Sequence, residues 1–397
     1  MTSGVAGIGV LLGWVVQTVT SPTVPETTEE SSPADDLMAQ VMAARTTCTR
    51  WLGLRPVPPR EALEALLAVV PADAQSDRYG DGGVVSELEA ETAKVLGKPA
   101  AVFMPSGTMA QQIALRIWAE RSGCRTVAYH PTSHVELHEE RGYAHLHQLV
   151  ARPVGDTRAA LTLADLQDVH EPLAALLLEL PQREIGGSLP EWDELCAQTG
   201  WAHGRGVATH LDGARLWEST AYYGRTPSEV AALFDTVYVS FYKGLGGIAG
   251  ACLAGPVDLI AEARVWRSRH GGTLSALWPY AAAALHGLRT RLDRMPAYLQ
   301  RTREIADAIR DLPGVEVVVD PPQTPMLHVR LHTDRDGVLR GALELAIERG
   351  WAVPFRSGPS ESPRWCVIEL AVGESTLDWP LEDITVAIAR LAGTPHT

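Results

Sequence analysis

Only three of the chain's 34 basic residues are lysines: Lys94, Lys98 and Lys243. Lys94 and Lys98 flank Leu96–Gly97 at the end of a helix-like stretch, where a solvated charge is ordinary. Lys243 follows the strand-like run Thr236-Val-Tyr-Val-Ser-Phe-Tyr242 and precedes Gly244-Leu-Gly-Gly247. Arginine stays charged and cannot condense with a carbonyl, whereas a lysine amine can lose its proton and do so. An amine kept in an apolar, glycine-bordered place, in a chain that writes arginine almost everywhere else, is a candidate covalent anchor for pyridoxal phosphate (PLP). The plain alternative is a lysine that happens to end a strand.

Two further segments fit that chemistry. Met104-Pro-Ser-Gly-Thr-Met-Ala-Gln111 lies between a strand pattern and a helix pattern. Ser106, Gly107 and Thr108 at a helix start present free N–H groups and the positive end of the helix dipole, which suits a phosphate; simple capping by Ser106 or Thr108 is the other reading. Thr209-His-Leu-Asp-Gly-Ala-Arg215 puts Asp212 just past a strand. A carboxylate there can pair with a protonated pyridine nitrogen, and Arg215 can hold a carboxylate by a two-pronged contact. An N-cap aspartate and a surface arginine are the alternatives. Lys243 follows Asp212 by 31 positions, room for a helix and the next strand. Phosphate loop, aspartate and lysine in that order are more specific together than any one alone.

The elements that must position these residues alternate along the chain. Short apolar runs at 100–104, 126–129, 173–180, 207–211, 238–241 and 251–254 read as buried strands, separated by helical patterns such as 85–96 and 108–120. That pattern implies an α/β fold with a mostly parallel sheet covered on both faces. In such sheets ligands sit beyond the carboxyl ends of the strands, where all three motifs fall. After about residue 275 a long alanine- and arginine-rich helical pattern over 277–311 precedes strands near 315–319, 326–331 and 366–370 and a helix over 337–349, which reads as a smaller C-terminal α+β domain. The expected division is an extension over 1–36, a helical arm over 37–75, a large cofactor-binding domain over 76–275 and a small domain over 276–397. Residues 5–19 are apolar but lack a basic flank before them and are short for a membrane span; 21–36 are rich in Pro, Ser, Thr and Glu.

Composition narrows the partners. A net charge of -14 argues against nucleic acid. Five scattered cysteines, Cys48, Cys124, Cys196, Cys252 and Cys366, show no paired metal spacing and suit a reducing cytoplasm. The expectation is a soluble enzyme acting on a small molecule, with no metal and no membrane partner.

On these residues the chain resembles the threonine aldolase and β-eliminating lyase branch of the fold type I, aspartate-aminotransferase-like PLP enzymes. Asp77-Arg-Tyr-Gly-Asp with Glu87-Leu-Glu89 is similar to the family's entry segment, and Pro105–Gln111 to its phosphate loop. Ser133-His-Val135 with Glu139 resembles the segment whose histidine stacks on the cofactor, which implies that role for His134. His210–Arg215 implies Asp212 for the pyridinium, and Arg215 for the cofactor's phenolic side or the substrate carboxylate. Ser240-Phe-Tyr-Lys-Gly-Leu-Gly246 resembles the segment carrying the covalent lysine. The resemblance also implies a homodimer or homotetramer with shared active sites, in which Tyr79 reaches a site or simply packs.

The substrate end departs from the family. Its Glu-Asn-Thr-His appears as Glu179-Leu-Pro-Gln182, leaving Gln182 nearest to the expected histidine. Its distal carboxylate-binding arginine appears as Glu369, with Arg356 or Arg364 as candidate substitutes. A basic group near Gly271-Gly272 is replaced, with Arg267 and Arg269 as candidates to compensate. The leading expectation is aldol cleavage of a β-hydroxy-α-amino acid to glycine and an aldehyde, with Lys243, His134 and Asp212 catalytic. Elimination at the β-carbon or other α-carbon chemistry, such as racemisation, is second, and a non-catalytic PLP-binding protein third.

Overall fold

The computed structural model describes residues 33–355, 362 and 364–393. Arg356, one candidate substrate contact, lies outside the described residues, as does nearly all of the apolar and Pro/Ser/Thr/Glu-rich N-terminal stretch. The expected extension ran to residue 36, but a helix already starts at Pro33 and runs to Arg45.

Seven strands form the main sheet: β2 (Ala100–Met104), β3 (Thr126–Tyr129), β4 (Val150–Pro153), β5 (Ala175–Glu179), β6 (Ala208–Gly213), β7 (Thr236–Ser240) and β8 (Ala251–Gly255). A two-residue β1 (Arg50–Trp51) precedes them. Their order is β2-β8-β7-β6-β5-β3-β4, and the run from β7 to β4 is parallel. β8 alone is reversed, pairing antiparallel with β7 and β2. Strands β7 and β8 are buried at every position, as continuous apolar runs covered on both faces must be. Phe241, just past β7, packs among Phe103 and Trp217, with ring centroids 6.3 and 6.5 Å away. The Trp217 indole N–H donates to the Ser240 carbonyl at 2.9 Å, fastening the helix Leu216–Tyr223 to the end of β7.

A second, three-stranded sheet has the order β12-β10-β9, from β9 (Val315–Val317), β10 (Met326–Leu331) and β12 (Cys366–Ala371). The single long helix expected over 277–311 is two helices, Trp278–Arg291 and Met295–Ile309, joined by a 3-10 turn at Leu292–Arg294. Pro296 explains the break: it cannot donate a backbone N–H within a continuous helix but fits the first turn of a new one. The N-terminal arm packs with the C-terminal part of the chain. Its helix Pro33–Arg45 lies against Arg335–Arg349, and β1 pairs in parallel with β11 (Trp351–Ala352). Buried Asp77 joins the entry segment to this frame, its carboxylate accepting from the Leu277, Trp278 and Gly80 N–H groups at 2.8–3.1 Å. No helix among the described residues is long and apolar enough to cross a membrane.

Candidate active site

The carboxyl ends of β5, β6 and β7 carry the chemistry. Glu179 and Asp212 are register partners at the ends of β5 and β6. Lys243 follows three residues after Ser240 ends β7. Lys243, Asp212, His134, Glu179, Arg183 and Arg215 line one cavity. The sequence motifs that place Lys243, Asp212, His134 and Arg215 in separate segments therefore converge.

Each of these groups is held by neighbours. Asp212 Oδ1 accepts from the Ala214 N–H at 3.1 Å and Oδ2 from Gln111 Nε2 at 2.8 Å. Gln111 also donates to Glu139 at 3.1 Å, and Glu139 takes His134 Nδ1 at 3.0 Å. One chain of bonds thus fixes the aspartate and the imidazole. Glu218, buried beside them, accepts both bonds of a two-pronged contact from Arg215 Nη1, each 3.0 Å, and a third from the Gly244 N–H at 3.1 Å. Arginine and the loop after Lys243 are locked by the same carboxylate. A side chain at Gly244 would meet it, a Cβ lying 2.7 Å from Glu218 Oε1.

The electrostatics follow from burial. Desolvation, helped by Arg215, lowers the Lys243 pKa against the pull of Asp212, Glu218 and Glu179. That favours the neutral, nucleophilic amine. Desolvation raises Asp212, opposed chiefly by Lys243 and His134. Glu179 is pushed above the usual carboxylate range by burial and by Asp212. Burial works against charge on His134, but the Glu139 hydrogen bond and the fields of Asp212 and Glu139 outweigh it, and its pKa lies above the ordinary imidazole value.

The phosphate-loop residues sit at the start of the helix Gly107–Ser122. The Ser106 hydroxyl caps it by accepting from the Met109 N–H at 3.3 Å. The capping reading and the anion reading of this segment are compatible, since the cap uses one donor and leaves the dipole in place. Gly107 is required sterically: a Cβ there would lie 1.9 Å from the Tyr238 hydroxyl. Gly107→Ala should cost about 1–3 kcal/mol through overpacking and displace this loop, seen as a lower melting temperature together with weaker PLP retention.

Other expected site residues do not line this cavity. Gln182 is buried on the far side of Glu179, lines the adjacent cavity and donates to Thr132 Oγ1 at 3.1 Å and Glu179 at 3.4 Å. Ser240 is buried at the end of β7. Tyr79 is 52% exposed, with a left-handed backbone, and does not line the lysine cavity. Arg267 is buried and donates to the Phe103 and Tyr79 carbonyls at 2.9 and 3.4 Å, while Arg269 lies over the Trp266 ring. Glu369 does not stand unpaired as a repulsive charge: Arg183 Nε reaches it at 2.8 Å, His328 at 3.3 Å and Arg215 Nη2 at 3.5 Å. Burial opposes its ionisation, but these neighbours prevail and hold its pKa down at about 2. Arg183, Glu218 and the partnerships of Gln111 and Glu179 were not assigned from sequence. Only Glu179 and Gln111, inside quoted motifs, carried any signal.

A flat cofactor with an aldehyde, a ring nitrogen and a phosphate suits what these groups offer. Burial raises the pKa of Asp212 against the pull of Lys243 and His134, and a pyridinium N–H beside it would favour the ionised carboxylate further. Arg215 Nε is buried with no hydrogen-bond partner among the described residues, so an acceptor beside it completes the site. A lysine of lowered pKa and a capped helix N-terminus stand on the same sheet edge. The class is that of fold type I PLP enzymes.

Comparison with known proteins agrees. A family model described as β-eliminating lyase matches residues 57–332. An aldolase of Penicillium aethiopicum, vrtJ, is 32% identical over 232 residues, spanning 57% of this chain and 59% of that protein. The low specificity L-threonine aldolase of Escherichia coli K12 is 30% identical over 290 residues, 71% of this chain and 84% of that one. A crystal structure from Listeria monocytogenes, described provisionally as an L-allo-threonine aldolase, superposes with a TM-score of 0.85 at 38% identity, covering 90% of this chain and 99% of that one. The chain belongs to the β-eliminating lyase family of fold type I PLP-dependent enzymes and is a PLP-dependent lyase.

Proposed function

We propose that the protein cleaves the Cα–Cβ bond of a β-hydroxy-α-amino acid, releasing glycine and an aldehyde. The observation that carries this reading is the shared cavity of Lys243, Asp212 and His134 in a chain related to threonine aldolases. Lys243 is the covalent anchor. The loop at Ser106, Gly107 and Thr108 receives the phosphate, Asp212 pairs with the ring nitrogen, and Arg215 and Ser240 complete the cofactor's surroundings. When bound, PLP supplies an electron sink conjugated to the substrate's α-carbon. His134, oriented by Glu139 and made more basic by it, takes the β-hydroxyl proton; Lys243 Nζ exchanges the proton at the α-carbon. Gln182 supports the wall through Glu179 rather than acting as a base, because an amide has no proton-accepting nitrogen at neutral pH.

The enzyme is read as cytoplasmic and as a homodimer or homotetramer. Exposed Leu63, Leu67, Tyr79, Tyr242 and Ile248 support assembly.

The test is product analysis with threonine, allo-threonine, phenylserine and serine. Equal yields of glycine and aldehyde are expected from one or more of the first three. Pyruvate or another oxo acid with ammonia, and no glycine, would replace aldol cleavage by β-elimination.

A further inference from the structure

Glycine, or any α-amino acid held at Lys243, brings a carboxylate that needs a cation. The described residues lining the cavity offer three cationic side chains besides His134: Lys243, Arg215 and Arg183. Lys243 is taken as the anchor. Arg215 is held more tightly, its Nη1 on both oxygens of Glu218 at 3.0 Å and its side chain only 11% exposed, and its unpartnered Nε is the donor left to the cofactor in the reading above. Arg183 is different. It stands on the short 3-10 turn Arg183–Ile185 directly after β5 and its cis Leu180–Pro181 bond, and its side chain is 38% exposed. Nε donates to Glu369 at 2.8 Å and Nη1 to Glu184 at 2.7 Å, while Nη2 makes no hydrogen bond among the described residues. Two carboxylates, one at Nε and one at Nη1, thus hold the guanidinium and leave Nη2 as its unbonded nitrogen, in the manner of a donor group being aimed.

The partners come from different parts of the fold. Glu184 is Arg183's own neighbour on the turn. Glu369 reaches across from β12 of the second sheet, where it is register partner to His328 on β10 and hydrogen-bonded to it at 3.3 Å. Where the family resemblance implies a carboxylate-binding arginine this chain carries Glu369, and that acid holds Arg183 Nε at 2.8 Å.

We infer that Arg183 binds the substrate's α-carboxylate and that Glu369 is the positioning residue that presents it. This deepens the reading proposed above and rests on it. The charge arrangement explains a residue that otherwise makes no sense at a site for anions: Glu369 need not repel the incoming carboxylate, since its charge is offset by Arg183 and Arg215. A planar, forked guanidinium suits a carboxylate better than a point charge.

The experiment uses the PLP-loaded enzyme and follows the cofactor's visible spectrum during titration with two probes, glycine and glycinamide. Both carry the amine that reacts at the cofactor; only glycine carries the carboxylate. Arg183→Gln should raise the glycine Kd about 10- to 100-fold and leave the glycinamide Kd within about two-fold, abolishing the preference for the acid. Arg183→Lys should fall between wild type and Arg183→Gln. Glu369→Gln should raise the glycine Kd about 3- to 10-fold with the same acid selectivity. If wild type responds to glycine and Arg183→Gln responds with the same Kd, this inference fails while the functional reading stands. If wild type responds to neither probe nor to any amino acid tried, both fall. Loss of cofactor from Arg183→Gln and Arg183→Lys alike would make Arg183 a structural residue and overturn its assignment.

Discussion

Replacing Lys243 with arginine should lower turnover by on the order of 10⁴-fold or more, because the covalent step has no substitute in the cavity. The change keeps a positive charge near Asp212 and Glu179, so charge loss cannot account for the result. What disappears is a nitrogen able to give up its proton: burial and Arg215 lower the Lys243 pKa, while a guanidinium stays protonated at any working pH. Lys243→Ala should be equally inactive but should recover part of its turnover with an added small primary amine such as ethylamine, and Lys243→Arg should not. Steady-state assays of the two variants, with peptide mapping after borohydride reduction to locate the cofactor, check the assignment. Turnover above about 1% of wild type in Lys243→Arg, or label recovered on Lys94 or Lys98, would remove the mechanism.

Strands were legible where both faces are covered. β2 and β3 fall at the residues that the apolar runs mark, because a strand covered on both faces writes itself as an unbroken run; β10, paired antiparallel on both sides, is legible instead as an alternation, with His328 and Arg330 the half-buried positions. β4 was not legible: Val150-Ala-Arg-Pro153 lies at the sheet edge, exposed or half-buried, where proline and arginine are tolerated and no run forms. The helix Trp192–Gly204 was missed for a related reason, its mixed face carrying Thr199 and Gly200 among apolar residues. The same division holds at the site. Lys243, Asp212 and His134 stood out because each sits in a short segment whose chemistry is local. Glu218 and Arg183 did not, since what they do depends on partners distant in sequence: Glu218 caps the loop 26 residues on at Gly244, and Arg183 meets Glu369 from 186 residues away. Glu369 read as a hostile charge for the same reason, its compensating arginines being invisible until the two sheets are brought together.

Asp212→Asn should separate stability from activity at one buried atom. In the fold two effects oppose each other. The amide removes an acceptor that Gln111 Nε2 uses at 2.8 Å, a loss of about 1–3 kcal/mol if nothing reorients. It also removes a buried carboxylate whose pKa desolvation has raised. Linkage fixes the sign: a raised native pKa means that the ionised form is less favourable folded than unfolded, so at neutral pH the aspartate weakens the fold and its neutral replacement relieves that cost. The melting temperature at pH 7 should therefore move little, while turnover should fall on the order of 10²- to 10³-fold, the size of effect that follows removal of one buried group opposite a developing charge. Lys243 remains, so the cofactor should still be captured and trapped by reduction. Calorimetry, reductive trapping and steady-state kinetics on the one variant give three readouts with three different expected outcomes. Wild-type turnover in Asp212→Asn would show that the ring nitrogen finds its partner elsewhere, and a collapse of the fold would show that the carboxylate holds β6 in place rather than tuning chemistry.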